Sequence, residues 1–206
     1  MSTHGNGKVV AGITTSVDGY YVGPDDGPGC GLGVGGERLH YWVFGGPWTY
    51  DGERAAGSAA GEDARFLEES MDACGAVVCG RGTFEAAGAW GGTNPWATPL
   101  FVVTHRVQDQ PAPATGFDFV PDLDTAIVRG HEAAGGKEVN IRVGGELIRQ
   151  ALAAGVVDEV VITTAPVVLG RGKRLFDGFD HDLDLDKLTA WSSPLATHVR
   201  YAVASA

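Results

Sequence analysis

Short apolar runs alternate with helical segments along most of this chain, and this alternation restricts its fold more than any other feature. The strand-like runs lie at 8–14, 76–79, 100–103 and 139–143, and Val156-Val157 with Val160-Val161-Ile162 frames a further one. The helical segments between them lie at 37–44, 62–73, 82–89, 123–134 and 146–154. Strands that alternate with helices form a mainly parallel sheet covered on both faces, so the sequence predicts a three-layer α/β fold.

The last quarter of the chain departs from that alternation. After residue 160 no convincing helix separates the strand-like runs, and 198–203 alternates between apolar and polar residues. This pattern predicts an antiparallel edge at the C-terminal end of the sheet. Because the 206 residues contain no internal repeat and no proline-rich linker, we expect a single domain over 1–206.

Charge and cysteine content exclude several functional classes. A net charge of −11 makes nucleic acid an unfavourable partner. No apolar stretch reaches the ~20 residues of a membrane helix, and the first residues do not form a signal peptide. Three cysteines without CxxC spacing and six histidines without ligand spacing predict neither disulfide nor metal site. We therefore expect a cytoplasmic protein with a small-molecule partner.

Four polar or glycine-marked junctions follow predicted strands, at 16–19, 80–84, 104–106 and 144–146. In an open α/β sheet, ligands bind at the carboxyl ends of the strands. Helix N-termini at this edge offer free N–H groups to phosphates, and Arg81, Thr83 and Arg106 would add donors. Together the junctions predict a site for a phosphate-bearing nucleotide.

Glycine-rich segments carry a second set of candidates. The loop 23–36 is a possible lid, and its Gly31-x-Gly33-x-x-Gly36 string is not a dinucleotide fingerprint because no strand precedes it. Several tryptophans lie in or beside such loops and are equally consistent with ordinary packing or with a wall that stacks on a flat ring: Trp42, Trp48, Trp90 and Trp96.

Six segments in a fixed order carry a family resemblance. They are 15–19 (TSVDG), 77–84 (VVCGRGTF), 101–106 (FVVTHR), 143–148 (VGGELI), 155–159 (GVVDE) and 166–172 (PVVLGRG), the last ahead of Leu175-Phe176. With these segments the chain resembles the dihydrofolate reductase-like superfamily. Within it, the chain is most similar to stand-alone proteins related to the reductase domain of bifunctional riboflavin-biosynthesis deaminase-reductases.

The resemblance implies NADPH bound along the carboxyl edge of the sheet. It implies that the segment around Arg81 holds the pyrophosphate or the 2′-phosphate and that the segment from Thr104 holds the adenosine end. It also implies that Thr14 and Asp18 lie near the nicotinamide and the substrate. The cofactor-binding residues implied in this way are Thr14, Gly80, Arg81, Gly82, Thr83, Thr104, His105, Arg106, Gly144, Gly145, Glu146 and Leu147.

Three residues are candidates for catalysis: Asp18, Glu37 and His40. Folate reduction in the superfamily relies on a carboxylate on the first helix, and Glu37 is the only acid there, although it also suits a helix N-terminus. His40 could donate a proton near pH 7 or simply pack. No His-x-Glu motif pairs with Pro-Cys-x-x-Cys, so the deaminase half is missing.

These observations lead to one expected function and two alternatives. The resemblance implies a homodimeric NADPH-dependent reductase of a small heterocyclic or ribosylamino-pyrimidine-like substrate, similar to 5-amino-6-(5-phosphoribosylamino)uracil reductase. One alternative is a non-catalytic nucleotide-binding homodimer on the same fold. The other is a dihydrofolate reductase.

Overall fold

An eight-stranded sheet forms the centre of the computed structural model, which describes residues 7–51 and 58–204. Its strands lie side by side in the order β5-β4-β3-β6-β1-β7-β10-β9. They are β1 (Val9–Ser16), β3 (Cys74–Gly80), β4 (Leu100–Val103), β5 (Phe117–Val120), β6 (Glu138–Arg142), β7 (Glu159–Ala165), β9 (Leu185–Ser192) and β10 (Thr197–Val203). A separate pair joins β2 (Tyr20–Val22) to β8 (Lys173–Arg174).

The six strands from β5 to β7 are all parallel to their neighbours. Strand β10 then pairs antiparallel with β7, and β9 pairs antiparallel with β10. The predicted mainly parallel sheet with an antiparallel C-terminal edge is therefore confirmed. Parallel pairing brings the carboxyl ends of β1, β3, β4 and β6 to the same edge of the sheet.

Helices cover both faces of this sheet. They are α1 (Tyr41–Phe44), which follows a 3₁₀ helix at Gly36–His40, and α2 (Gly61–Ala73), α3 (Arg81–Ala86), α4 (Leu123–Ala134) and α5 (Gly145–Ala153). Helices α4 and α5 bury Ala126 and Ile148 against one face. On the other face, α1 and α2 bury Trp42 and Phe66. In the described residues no helix is long and apolar enough to cross a membrane.

Most predicted elements lie close to the observed ones, and two match at both ends, β4 and α4. Four strands had no prediction: β2, β5, β8 and β9. Strand β9 carries mostly exposed side chains at the sheet edge, so its sequence lacks the apolar alternation of a half-buried strand. Val156 and Val157, which the sequence placed with a strand, lie before β7 begins.

A buried polar network ties α2 to the antiparallel edge. His198 is fully buried, with Nδ1 2.8 Å from Thr163 Oγ1 and Nε2 2.9 Å from Asp63 Oδ1. The other oxygen of Asp63 accepts a hydrogen bond from Ser193 Oγ at 2.8 Å. The His198 ring also stacks on Phe66, with ring centroids 4.0 Å apart. Each buried polar group in this network therefore has a partner, as the low dielectric of a core requires.

We expect Asp63→Ala to lower the free energy of unfolding by about 3 kcal/mol, because it leaves His198 and Ser193 without their acceptor inside the core. Glu62→Ala, which removes the exposed neighbouring acid on the same helix, should cost less than about 0.5 kcal/mol. Urea denaturation of the two variants and the wild type measures both values. Equal stability of Asp63→Ala and the wild type would show that the network does not stabilise the fold.

Candidate active site

A cavity of about 860 Å³ opens at the carboxyl edge of the sheet. The ends of β1, β3 and β4 line it, together with the turn that joins β6 to α5. The structure brings these sequence-predicted residues to its wall: Thr14, His40, Gly80, Arg81, Gly82, Thr83, Thr104, His105, Arg106, Gly144, Glu146 and Leu147. Three further candidates, Asp18, Glu37 and Gly145, do not line the cavity.

Two glycines allow the β6–α5 turn to approach its neighbours closely. Gly144 has φ of +149°, and a Cβ atom there would lie 2.6 Å from Thr83 Oγ1. A Cβ atom on Gly145 would lie 2.5 Å from the ring of Tyr21. The preceding Val143 has φ of +48°, a conformation that costs a β-branched residue of order 1–3 kcal/mol. The turn thus holds the N-terminus of α5 beside α3 in a strained backbone.

Two arginines and two carboxylates form a compact cluster where β3 and β4 end. Glu85 accepts from Arg81 Nε at 2.8 Å and from Arg106 Nη2 at 2.9 Å. Asp109 Oδ2 lies 3.4 Å from Arg81 Nη2. The Arg81 guanidinium also lies over the ring of Phe119, 5.0 Å from its centroid. These contacts fix the position of the Arg81 side chain at the cavity wall.

One donor of this cluster has no acceptor. Nη1 of Arg81 is buried and has no hydrogen-bond partner in the part of the chain that the structure describes. A buried guanidinium N–H without a partner is unfavourable, so an anion that reaches it would be stabilised. Beside it, Thr104 Oγ1 accepts from the backbone N–H of Arg106 at 3.0 Å, while His105 is exposed at the rim.

Thr14 and His40 lie where β1 and the 3₁₀ helix meet the cavity. Thr14 Oγ1 accepts a hydrogen bond from Trp42 Nε1 at 3.3 Å. Burial lowers the pKa of His40 from 6.5 to about 4. His40 is therefore neutral at pH 7 and is not the imidazolium that a protonated donor near that pH would need.

Asp18 performs a structural task. Its carboxylate accepts from Ser16 Oγ at 2.6 Å and from the backbone N–H groups of Leu169 and Gly170 at 3.1 and 2.7 Å. These bonds, led by that from Ser16, lower the pKa of Asp18 to about 2. The carboxylate thus joins the turn after β1 to 169–170, and its geometry gives no support to the catalytic role suggested by the sequence.

Glu37 lies in the 3₁₀ helix and does not contribute to the cavity wall. Among the described residues that line the cavity, the acids are Asp26 and Glu146. Asp26 accepts from Lys173 Nζ at 2.7 Å, and Glu146 lies in the first turn of α5. The dihydrofolate reductase alternative, which relies on Glu37, therefore has no support from the position of that residue.

Phe44, Trp48 and Tyr50 form an aromatic wall of the cavity. Of these three residues, the sequence analysis named only Trp48. The ring centroids of Trp48 lie 5.2 Å from Phe44 and 5.1 Å from Tyr50. The Tyr50 hydroxyl accepts from the backbone N–H of Leu32 at 2.8 Å, which ties the loop 23–36 to the wall. The available signal was the density of aromatic residues in 41–50 (YWVFGGPWTY).

The other tryptophans near glycine-rich loops have different positions. Trp90 lines the cavity, and Trp96 lies behind it with ring centroids 5.0 Å apart. Trp42 is buried between the sheet and α2, and reaches the site only through its bond to Thr14. Of the four tryptophans considered from the sequence, Trp48 and Trp90 thus face the cavity.

The family model of the RibD C-terminal domain matches residues 7–196. The chain belongs to the RibD C-terminal domain family. This result confirms the resemblance drawn from the six ordered sequence segments. A search of curated proteins found no match.

Solved structures share the fold at low sequence identity. A riboflavin biosynthesis protein from Shewanella sp. PV-4 has 22% identity and a TM-score of 0.67, covering 96% of this chain and 99% of its own. Dihydrofolate reductase from Enterococcus faecalis, solved with NADP(H), has 15% identity and a TM-score of 0.62, with 97% and 98% covered. The deaminase/reductase from Thermotoga maritima has 14% identity and a TM-score of 0.59, with 97% and 57% covered. This RibD C-terminal domain protein therefore has the dihydrofolate reductase-like fold.

The lowered pKa of His40 has a consequence for stability. The unfolded chain gains a proton on His40 as the pH falls below 6.5, whereas the folded chain stays unprotonated until about pH 4. We expect the free energy of unfolding to decline over this interval, and His40→Gln to remove part of the decline. Urea denaturation at several pH values measures the slope.

His181→Gln is the matched control, because His181 is exposed and its loss should leave the slope unchanged. A wild-type slope in His40→Gln would contradict the burial of a neutral imidazole at the cavity.

Proposed function

We propose that this RibD C-terminal domain protein is an NADPH-dependent reductase that transfers hydride to a small heterocyclic or ribosylamino-pyrimidine-like acceptor. The observation that carries the proposal is the arrangement of the three segments that follow β3, β4 and β6 around one cavity. These segments place Arg81 and Arg106 at one end and the N-terminus of α5 beside them. We further propose that it acts as a cytoplasmic homodimer.

The residues at this end fit a dinucleotide phosphate. Among the described residues, the buried Nη1 of Arg81 has no hydrogen-bond partner, and the guanidinium is held in place by Glu85 and by the ring of Phe119. The N-terminus of α5 lies beside Thr83 and has no side-chain cap in the described residues, so its first backbone N–H groups can donate to a phosphate. Arg81, Thr83, Arg106 and the 144–147 backbone would therefore hold the phosphates of NADPH.

NADPH supplies the hydride when it is bound, and the protein positions the cofactor and the hydride acceptor and sets the polarity around them. Thr14 Oγ1 accepts from Trp42, so its own O–H is free to donate into the cavity. Neutral His40, which lines the cavity as Thr14 does, offers one N–H donor and one acceptor nitrogen. The aromatic wall lowers the water content around the reacting carbons, which protects the hydride acceptor from competing reactions.

Two solved relatives of this fold support the choice of cofactor and substrate class. The Enterococcus faecalis structure is a complex with NADP(H), and the Thermotoga maritima protein is described as a 5-amino-6-(5-phosphoribosylamino)uracil reductase. A dihydrofolate reductase is the less favoured alternative because Glu37 does not line the cavity. A non-catalytic nucleotide-binding protein uses the same phosphate-binding residues and differs only in turnover.

Arg81→Ala should weaken NADPH binding by about 1.5–3 kcal/mol, the scale of hydrogen bonds to a charged group. Isothermal titration calorimetry measures the loss of affinity, and a comparison of NADPH with NADH shows which phosphate group Arg81 contacts. A larger loss for NADPH than for NADH assigns Arg81 to the 2′-phosphate, and an equal loss assigns it to the pyrophosphate. Arg65→Ala, at an exposed position on α2, is the control and should bind as the wild type does.

If Arg81→Ala binds NADPH as tightly as the wild type does, the phosphates do not bind at this end of the cavity. Circular dichroism of the variant confirms that the fold is retained.

Catalysis is tested by the loss of NADPH absorbance with three acceptors: 5-amino-6-ribosylaminouracil, its 5′-phosphate and dihydrofolate. The reductase proposal predicts oxidation with a pyrimidine acceptor and none with dihydrofolate. NADPH binding without turnover of any of them would favour the non-catalytic alternative. Dihydrofolate reduction that Glu37→Gln abolishes would favour a dihydrofolate reductase.

A further inference from the structure

Each arginine of the cluster at the ends of β3 and β4 contacts both of its carboxylates. Glu85 Oε1 accepts from Arg81 Nε at 2.8 Å and from Arg106 Nη2 at 2.9 Å. Asp109 Oδ2 lies 3.4 Å from Arg81 Nη2 and 3.7 Å from Arg106 Nε. Because the four side chains carry no net formal charge, a phosphate that enters the cluster has to compete with the carboxylates for the arginine N–H groups.

The two carboxylates are held with unequal strength. Both contacts of Glu85 have the length of a charge-assisted hydrogen bond, which is about 2.7–2.9 Å. The hydrogen bond from Arg81, helped by the charge of Arg106, lowers the pKa of Glu85. Both contacts of Asp109 are longer than this range and use the same oxygen. Asp109 is therefore the carboxylate that an incoming anion displaces more easily.

The Arg81 guanidinium has one pair of neighbouring nitrogens suited to a second ligand. Its Nε is bonded to Glu85, whereas its buried Nη1 has no partner within the described part of the chain. Its Nη2 has the long contact to Asp109. A phosphate binds an arginine most strongly through two parallel N–H···O bonds. A phosphate that takes Nη1 thus completes the pair by taking Nη2 from Asp109.

The side chain of Asp109 can leave the arginines without a change in the backbone. Asp109 ends the 3₁₀ turn Val107–Asp109, and its backbone N–H donates to the carbonyl of Arg106 at 3.0 Å. Its side chain is 37% exposed, so rotation of this side chain can bring the carboxylate into water. The turn therefore keeps its shape while the carboxylate moves.

We propose that Asp109 is an internal competitor for the phosphate of the cofactor. Its carboxylate contacts Arg81 and Arg106 when the cofactor is absent and leaves them when the phosphate binds. Glu85 stays in place and keeps the two arginines together. The inference rests on the proposed function and adds to it a residue that limits the affinity for the cofactor.

The test removes the charge of Asp109 and keeps its size. Asp109→Asn should bind NADPH about three- to tenfold more tightly than the wild type in calorimetry at low salt, because the phosphate no longer competes with a carboxylate. Asp109→Ala should change the affinity in the same direction. High salt should reduce the gain, since the groups are partly exposed and ions screen them.

Asp180→Asn is the matched control, because it changes the net charge by the same amount at a side chain that is 90% exposed and does not line the cavity. This variant should bind NADPH as the wild type does. Titration with NADH identifies the phosphate concerned. A gain for NADPH alone assigns the competition to the 2′-phosphate, and an equal gain for both dinucleotides assigns it to the pyrophosphate.

A crystal structure of the wild type with NADPH gives an independent readout. We expect phosphate oxygens within hydrogen-bond distance of Arg81 Nη1 and Nη2, and the Asp109 carboxylate turned away from both arginines. A complex in which Asp109 keeps its contact with Arg81 and the phosphates bind elsewhere would overturn the proposal.

An equal or weaker affinity for NADPH in Asp109→Asn would also overturn it, since a carboxylate that merely orients the arginines gives a loss when it is removed. If the wild type binds NADPH and Asp109→Asn shows no gain, only the role of Asp109 is wrong. If neither protein binds NADPH, the proposed reductase function is wrong as well.

Discussion

Parallel pairing of β1 with both β6 and β7 is the constraint on which the rest of the molecule depends. Seven of the eight residues of β1 are buried, so the strand can only lie inside a sheet that is covered on both faces. Because its neighbours run in the same direction, their carboxyl ends meet at one edge. The polar residues that follow each strand are brought together there, although they lie far apart in the sequence.

The cavity uses this edge in two different ways. At one end, ion pairs with Glu85 and Asp109 and contact with Phe119 hold Arg81 in position before any ligand arrives. Another part of the cavity wall is formed by the aromatic rings of Phe44, Trp48 and Tyr50. The two arginines and two carboxylates carry no net formal charge, so the buried Nη1 of Arg81, which has no partner among the described residues, is the feature of this cluster that favours an anion.

The sequence could predict whatever depends on local pattern. Apolar runs located β4 and α4 at their true boundaries, and junction chemistry located Arg81 and Arg106 at the cavity. Strand β9 escaped prediction because exposed edge strands lack apolar periodicity. From the sequence only Trp48 of the aromatic wall was named, because the contributions of Phe44, at the end of α1, and of Tyr50, in the loop after it, depend on tertiary folding.

Chemical roles were harder to predict than positions. Asp18 looked catalytic beside β1, yet its carboxylate is used by Ser16, Leu169 and Gly170, and two of these lie about 150 residues further along the chain. His40 lies at the cavity as expected, but burial lowers its pKa and keeps the imidazole neutral. The local sequence gives no sign of this burial. Long-range hydrogen bonds and desolvation decide both cases, and neither leaves a local signature in the sequence.

The proposed function requires NADPH to bind at the carboxyl edge of the sheet. The first experiment is a calorimetric titration of the wild-type protein with NADPH, repeated with NADH. We expect saturable one-site binding of NADPH, with a weaker affinity for NADH because it lacks the 2′-phosphate. If neither dinucleotide binds, the fold and the family membership stand but the proposed cofactor is wrong.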